Sequence, residues 1–242
     1  MNKPPITVKD YPTYFGGKSG AGTYQTLINH VPPCTTYVSG CLGNCGLTRY
    51  IKPAELMILN DLDSDLVASW KYAIGSRKCF EFYNIDVVTL IRSIIAEYYD
   101  TADVFLYLDP TYRTAVRKTQ RPVYRFEMSE QKHIELLESC LSLNQTKIMI
   151  SNYPDPLYDE YLRGWYTHDF WSNTHNGRAL ERIYMNYQLN DQLHDYSFIG
   201  EEFREREQFA RIRKNLIKKI NRLEPVLRNA ILSDLASQNS AI

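Results

Sequence analysis

Three short segments rich in aliphatic and aromatic residues each run into an aspartate: Leu56–Asn60 into Asp61, Phe80–Ile85 into Asp86, and Val104–Leu108 into Asp109. A run of strand length that stops at a polar group reads as a buried strand carrying that group at its C-terminal end. Between these runs the periodicity is helical. Val87, Val88, Leu90, Ile91, Ile94 and Ile95 fall on one face of a helix expected over Val87–Tyr99, and another helix is expected through Leu66 and Trp70. Strand and helix in alternation predict parallel strands joined by crossover helices, with ligands bound outside the strands' C-terminal ends.

The third run is the most informative. Pro110 cannot continue a strand, so the chain must turn after Asp109. A carboxylate, a backbone carbonyl and the ring of Tyr112 are thereby delivered together at the edge where ligands bind. The two oxygens suit the N–H groups of an exocyclic amine on a planar base, and the ring suits its face. An Asp-Pro turn of purely structural meaning reads the same way in isolation.

Other segments add weight. Tyr14-Phe15-Gly16-Gly17-Lys18-Ser19 lets backbone approach a ligand while Lys18 meets a negative group. Its ending resembles a phosphate loop, but Pro12 stands where the first glycine belongs and no strand precedes it, which excludes a nucleotide triphosphatase. Strand Thr35–Val38 opens into Ser39-Gly40-Cys41-Leu42-Gly43-Asn44-Cys45-Gly46, a glycine-rich loop suited to a cofactor or to a plain turn. Asp61 follows at roughly 20 residues, the distance expected of an acid that grips ribose hydroxyls; Asp61 or Asp63 also suits the N-cap of the next helix. After Tyr112, Arg113, Arg117, Lys118, Arg121 and Arg125 alternate with Tyr124 and Phe126, a composition suited to phosphate contacts and base stacking or to a solvated loop. Ser129 caps a helix expected over Ser129–Leu143, Lys147–Ser151 reads as a buried strand, and Glu181–Leu189 alternates as an antiparallel strand. Residues 155–197 carry aromatic and polar residues without clear period, and Trp165, Tyr166, Phe170 and Trp171 suggest a half-buried strand region. Residues 201–236 form a charged helical segment with an apolar stripe at Phe203, Ile212, Leu216, Ile220 and Leu223, interrupted at Pro225.

The net charge is zero, so any nucleic-acid surface has to come from local clustering. No secretory leader pattern is found and no apolar run approaches about 18 residues, which predicts a cytoplasmic protein. The cysteines, Cys34, Cys41, Cys45, Cys79 and Cys140, lack paired ligand spacing, and His168, His175 and His194 follow no metal motif, so no metal is expected.

Taken together, these motifs resemble the Dam-like DNA adenine N6-methyltransferases, which use S-adenosylmethionine. The resemblance runs from about Tyr14 to Asn186 in the family's motif order. Tyr14-Phe15-Gly16-Gly17-Lys18 is similar to the opening element that lies against the cofactor, Asn60-Asp61-Leu62-Asp63 to the ribose acid, and Asp86 to an acid near the cofactor's adenine. Asp109-Pro110-Thr111-Tyr112 is similar to the catalytic Asp-Pro-Pro-Tyr, and Ile150–Tyr153 and Glu181–Asn186 to two later segments. Ser39-Gly40-Cys41 stands where the family has Glu-Pro-Phe, Thr111 replaces the second proline, and only residues 100–103 occupy the place of the family's large recognition insert.

The resemblance implies a Rossmann-like methyltransferase fold, with a mostly parallel sheet, flanking helices and a C-terminal helical extension. It implies a methyltransferase domain over residues 1–200, with recognition elements at about 113–126 and 155–180, followed by the charged segment 201–242. Tyr14, Gly16, Gly17, Lys18, Ser39, Gly40, Gly43, Asp61 and Asp86 would hold the cofactor, and Asp109, Pro110 and Tyr112 would act on a flipped adenine in double-stranded DNA. Arg113, Arg117, Lys118, Arg121 and Arg125 would grip its backbone. Two other readings stay open: a relative without catalysis that binds DNA or a partner, and methylation of another amine, such as cytosine N4 or an RNA base.

Overall fold

The computed structural model describes residues 16–117, 120–174 and 177–239. The chain separates into two compact units, Met1–Tyr196 and Ser197–Ile242. The first is built on a seven-stranded sheet: β1 (Thr36–Ser39), β2 (Leu56–Asn60), β3 (Phe80–Tyr83), β4 (Val104–Leu108), β5 (Lys147–Asn152), β6 (Tyr166–Thr174) and β7 (Gly177–Met185). Their order is β3-β2-β1-β4-β5-β7-β6. The pairs among β1 to β5 are parallel, and β7 runs antiparallel between β5 and β6. This is a Rossmann-like α/β fold, mostly parallel with helices on both faces.

The order dictates where a ligand can sit. The chain moves outward from β1 through β2 to β3, then returns to place β4 on the other side of β1. Strand order therefore reverses between β1 and β4, which opens a crevice beyond their C-terminal ends. Ser39 pairs with Tyr107, so Gly40 and Asp109 emerge side by side at that crevice.

Burial explains the strands. All five residues of β4 are buried, each apolar side chain contributing about 1.5–3 kcal/mol relative to exposure. Val38, Ile58, Leu106, Leu108, Ile148 and Ile150 form one core layer with α4 (Val87–Leu90), its continuation Ile91–Tyr99, and α5 (Glu130–Leu141). On the other face Tyr37 bonds Thr48 of α2 (Gly46–Tyr50) and packs against Phe105. Trp70 of α3 (Ser64–Ile74) is fully buried, and α1 (Thr23–Ile28) contributes Leu27.

Several elements depart from the sequence reading. Helix α4 passes into a π-helical stretch at Ile91, with Ile91 and Ile95 buried on the sheet side. Residues 155–180 contain a further helix, α6 (Pro156–Tyr161), capped by Asp155, whose carboxylate accepts the Leu157 N–H. Strand β7 starts earlier than Glu181 and ends at Met185, because its register is fixed by antiparallel pairing with β6 from Gly177 opposite Thr174 to Met185 opposite Tyr166.

The second unit consists of α7 (Phe203–Asn221) and α8 (Pro225–Asn239). Pro225 is the first residue of α8, where its missing N–H costs no hydrogen bond. No residue of α7 is buried, and Phe203, Ile212, Leu216 and Ile217 stay exposed along it. No helix among the described residues is long and apolar enough to cross a membrane.

Candidate functional site

The crevice lies open to solvent at the C-terminal ends of β1, β2 and β4. One wall is built mainly of backbone. Gly16–Lys18 lies across the loop that follows β1, and the Gly46 N–H donates to the Gly17 carbonyl at 2.7 Å. Neither glycine leaves room for a side chain: a Cβ on Gly46 would stand 2.4 Å from the Lys18 carbonyl oxygen, and one on Gly17 would stand 2.7 Å from that of Asn44. Lys18 itself has φ +51°, a left-handed conformation that a lysine holds only where its surroundings impose it. Gly40 passes so close to β4 that a Cβ would meet Leu108 at 2.6 Å.

The acids at the ends of β2 and β3 complete this wall. Asp61 accepts the Gly43 N–H at 2.8 Å and the Asp63 N–H at 2.9 Å, one on each oxygen. Burial raises its pKa against these bonds. Asp63 is the N-cap of α3, accepting from Asp65 and Leu66, so of the two acids it is Asp63 that takes the cap, while Asp61 lines the crevice. Asp86 caps α4 and stands 3.0 Å from the Lys132 ammonium. Asn60 ties the two loops together, its amide nitrogen donating to the carbonyls of Gly40 and Ile85. A glycine cradle between two carboxylates suits a nucleoside-bearing cofactor with ribose hydroxyls to bind.

The opposite wall is made of side chains. Lys18 reaches across the crevice, its ammonium 3.3 Å from Asp109 Oδ1 and 3.6 Å from Glu181 Oε2 and hydrogen-bonded to the Tyr112 hydroxyl. Tyr112 donates to Glu181 Oε2 at 2.6 Å, and Ser172 donates to Oε1 at 3.0 Å. Ser151 donates to Asp109 Oδ1 at 2.9 Å and shares a 2.9 Å bond with the Tyr107 hydroxyl. Burial favours the neutral form of Lys18, but the carboxylates of Asp109 and Glu181 more than reverse this and keep it charged. Burial raises the Asp109 pKa, opposed by Lys18.

Not every expected residue stands where the sequence put it. Gly16, Gly17, Lys18, Gly40, Gly43, Asp61, Asp86, Asp109 and Pro110 line the crevice, whereas Ser39 is fully buried behind it. Tyr112 is only 4% exposed, with the Lys18 ammonium 4.4 Å from its ring centroid and Tyr153 edge-on at 4.6 Å. Its ring is a buried wall rather than an open platform for a base. Thr111 accepts the Met128 N–H at 2.9 Å, anchoring the end of the basic loop where the family carries proline. Tyr14 and Lys118 lie outside the described residues.

The loop arginines are engaged by acids. Arg113 pairs with Glu130 at 2.5 Å and Asp155 at 2.6 Å, and Arg125 with Asp63 at 2.9 Å and Asp65 at 2.8 Å. Arg117 pairs with Glu127 at 3.0 Å and is buried, which corrects its expected role as a surface phosphate contact. Arg121 is exposed. Phe126, Tyr124 and Met128 line the crevice. No group of three or more His, Cys, Asp or Glu among the described residues is placed to hold a metal.

Sequence reasoning named Glu181, Ser151 and Gly46 only as parts of longer segments and gave none of them a role of its own at the site. A signal existed for the first, because Glu181 shares a strand face with Ile183 and Met185, an acid on an otherwise apolar stripe.

No family model and no curated protein sequence matches the chain. Among solved structures it is similar to a precorrin 8W decarboxylase of Methanobacterium thermoautotrophicum, 9% identical over 74% of this chain and 92% of that one, with a TM-score of 0.44. An rRNA methylase of Streptococcus thermophilus is 9% identical over 68% and 92%, TM-score 0.42. A SAM-dependent methyltransferase of Agrobacterium tumefaciens is 11% identical over 68% and 60%, TM-score 0.42. Likeness at this distance carries no chemistry, which has to be argued from the side chains.

Proposed function

We propose that this protein uses S-adenosylmethionine to methylate an exocyclic amine of a nucleobase, with N6 of an extruded adenine in double-stranded DNA as the first substrate. The observation that carries this reading is the meeting of Asp109, at the end of β4, with Lys18 of the Gly-Gly-Lys element beside a glycine-walled, acid-lined crevice.

The cofactor would supply an electrophilic methyl on a sulfonium. Gly40 and Gly43 would let it lie against backbone, with Asp61 and Asp86 toward the ribose and adenine. Ser151 and Lys18 both meet Asp109 at Oδ1, so Oδ2 is the oxygen that receives an amine N–H. The Pro110 carbonyl would take the second. An adenine amine is a weak nucleophile because its lone pair is delocalised into the ring. Two acceptors favour a more pyramidal nitrogen and stabilise the charge that grows on it. Asp109 then accepts the released proton. Phe126, 41% exposed and lining the crevice, is a better stacking surface than Tyr112.

The test is methyl transfer from isotopically labelled S-adenosylmethionine to duplex DNA, single-stranded DNA and RNA, with the methylated nucleoside identified by mass spectrometry. N6-methyladenine in duplex DNA is expected; labelled cytosine or RNA would replace the substrate, and no label on any of them would remove the reading. A second reading, a binding module without catalysis, is favoured by Ser39, which leaves no carboxylate at the end of β1. Calorimetry decides between them: a folded protein that takes up no S-adenosylmethionine is such a module.

A further inference from the structure

Three ionisable groups meet at the side-chain wall of the crevice, and methyl transfer at Asp109 uses only one of them. The side chains of Lys18 and Glu181 are each about 5% exposed and that of Asp109 13%, so their charges interact with little screening by water. With Asp109 alone as its partner, Lys18 would form a neutral pair, and its ammonium would cancel the charge that a developing cation on the amine needs. Glu181 changes that balance. Its carboxylate, the second beside Lys18, stands almost as close to the ammonium, 3.6 Å against 3.3 Å. It is held in place by Tyr112 on one oxygen and Ser172 on the other.

We propose that Glu181 is a positioning residue that draws the Lys18 charge away from Asp109, so that the amine meets a site with one net negative charge. This rests on the methyl-transfer reading. The groups that face the Lys18 ammonium among the described residues are Asp109 from the end of β4, Glu181 from β7, Tyr112 and Tyr124 from the loop between β4 and α5, and Tyr153 from the end of β5. The two carboxylates and the ammonium set the charge. Removing Glu181 brings the site to neutrality; removing Lys18 as well restores one negative charge.

The experiment is a cycle of Glu181→Gln, Lys18→Met and the double variant, each checked by thermal melting. Gln keeps the shape and an oxygen for Tyr112 and Ser172. Glu181→Gln is expected to lower kcat about 10- to 100-fold, with little change in the KM for S-adenosylmethionine. The double variant is expected to be more active than Glu181→Gln alone, a rescue that a structural role for Glu181 does not produce. Lys18→Met, which leaves two facing carboxylates, should move the rising limb of the pH–rate profile to higher pH. Equal turnover in wild type and Glu181→Gln, or a double variant no better than Glu181→Gln, overturns the proposal. Should Glu181→Gln not fold, Glu181→Asp, which keeps the charge at greater distance, is expected to show an intermediate loss.

A readout without turnover separates this proposal from the function it rests on. By NMR, the Lys18 ammonium should lose its proton at lower pH in Glu181→Gln than in wild type. An unchanged titration overturns the proposal even where methylation proceeds, and absence of methylation by wild type removes the functional reading alone.

Discussion

The two walls of the crevice are made differently. The wall from Gly16 to Asp86 is chiefly backbone: glycines without room for a Cβ, N–H groups donated to Asp61, and a helix cap at Asp86. The wall at Asp109 is chiefly side chain, assembled from residues 94 and 69 positions apart around Tyr112. Backbone walls fix shape and suit an invariant ligand. A cluster of buried charges fixes electrostatics, and each member's worth depends on the others.

This contrast can be broken most directly at Asp109. Asp109→Ala should lower methyl transfer by at least about a hundredfold while leaving S-adenosylmethionine affinity close to wild type by calorimetry. Undiminished turnover would sink the mechanism, and a parallel loss of cofactor binding would mean that the walls are not separable. Gly46→Ala is the converse. The new Cβ collides with the Lys18 backbone, an overpacking cost of about 1–3 kcal/mol, and cofactor affinity should weaken about tenfold or more; unchanged affinity would show that Gly16–Lys18 does not belong to the binding wall.

Stability should respond alike on both sides. His30, at the end of α1, and His133, inside α5, each have their pKa lowered to about 4, mainly by burial. Unfolded histidines titrate near 6.5, so the unfolded chain binds more protons between these values. The stability they contribute is complete above about pH 6.5 and is lost as pH falls toward 4. The melting temperature should drop across that window, and His133→Gln should flatten part of the fall; an equally steep drop in that variant would exclude His133 as a source. The smallest effect is expected at Arg125, more than half exposed, whose ion pairs with Asp63 and Asp65 are screened by solvent. Arg125→Ala should barely move the melting temperature, and a large shift would show that this ion pair holds the loop.

The contrast also explains what was legible in the sequence. The backbone wall depends on local patterns, so the strand runs, the glycines at 16, 17, 40 and 43, and the terminal acids could be read in order. Asp109 was legible for the same reason, because Pro110 marks the end of its strand. The rest of that wall was not. Glu181 and Ser172 sit on the antiparallel hairpin at the sheet edge, and only the pairing of β7 with β5 brings them near Asp109. The basic loop misled through composition: its arginines suggested a phosphate surface, while the folded chain spends Arg113, Arg117 and Arg125 on acids from four other places in the sequence and one on the loop itself. Charge counted along a chain does not reveal which charges are already answered.

The hydrogen bond from Gly46 to Gly17 has a consequence for the order in which ligands are felt. It fastens the loop after β1, the proposed cofactor loop, to the residue next to Lys18, and Lys18 ends at Asp109, the proposed amine site. One short peptide is thus a member of both walls. A ligand that firms the loop also restricts where the ammonium can stand, and a base that engages Asp109 acts back along the same peptide. Linkage requires such an effect to be equal in both directions: as much as the cofactor tightens its hold on the base, the base must tighten the hold on the cofactor. Equal affinities for each ligand with and without the other, measured on the wild type, would mean that the peptide transmits nothing.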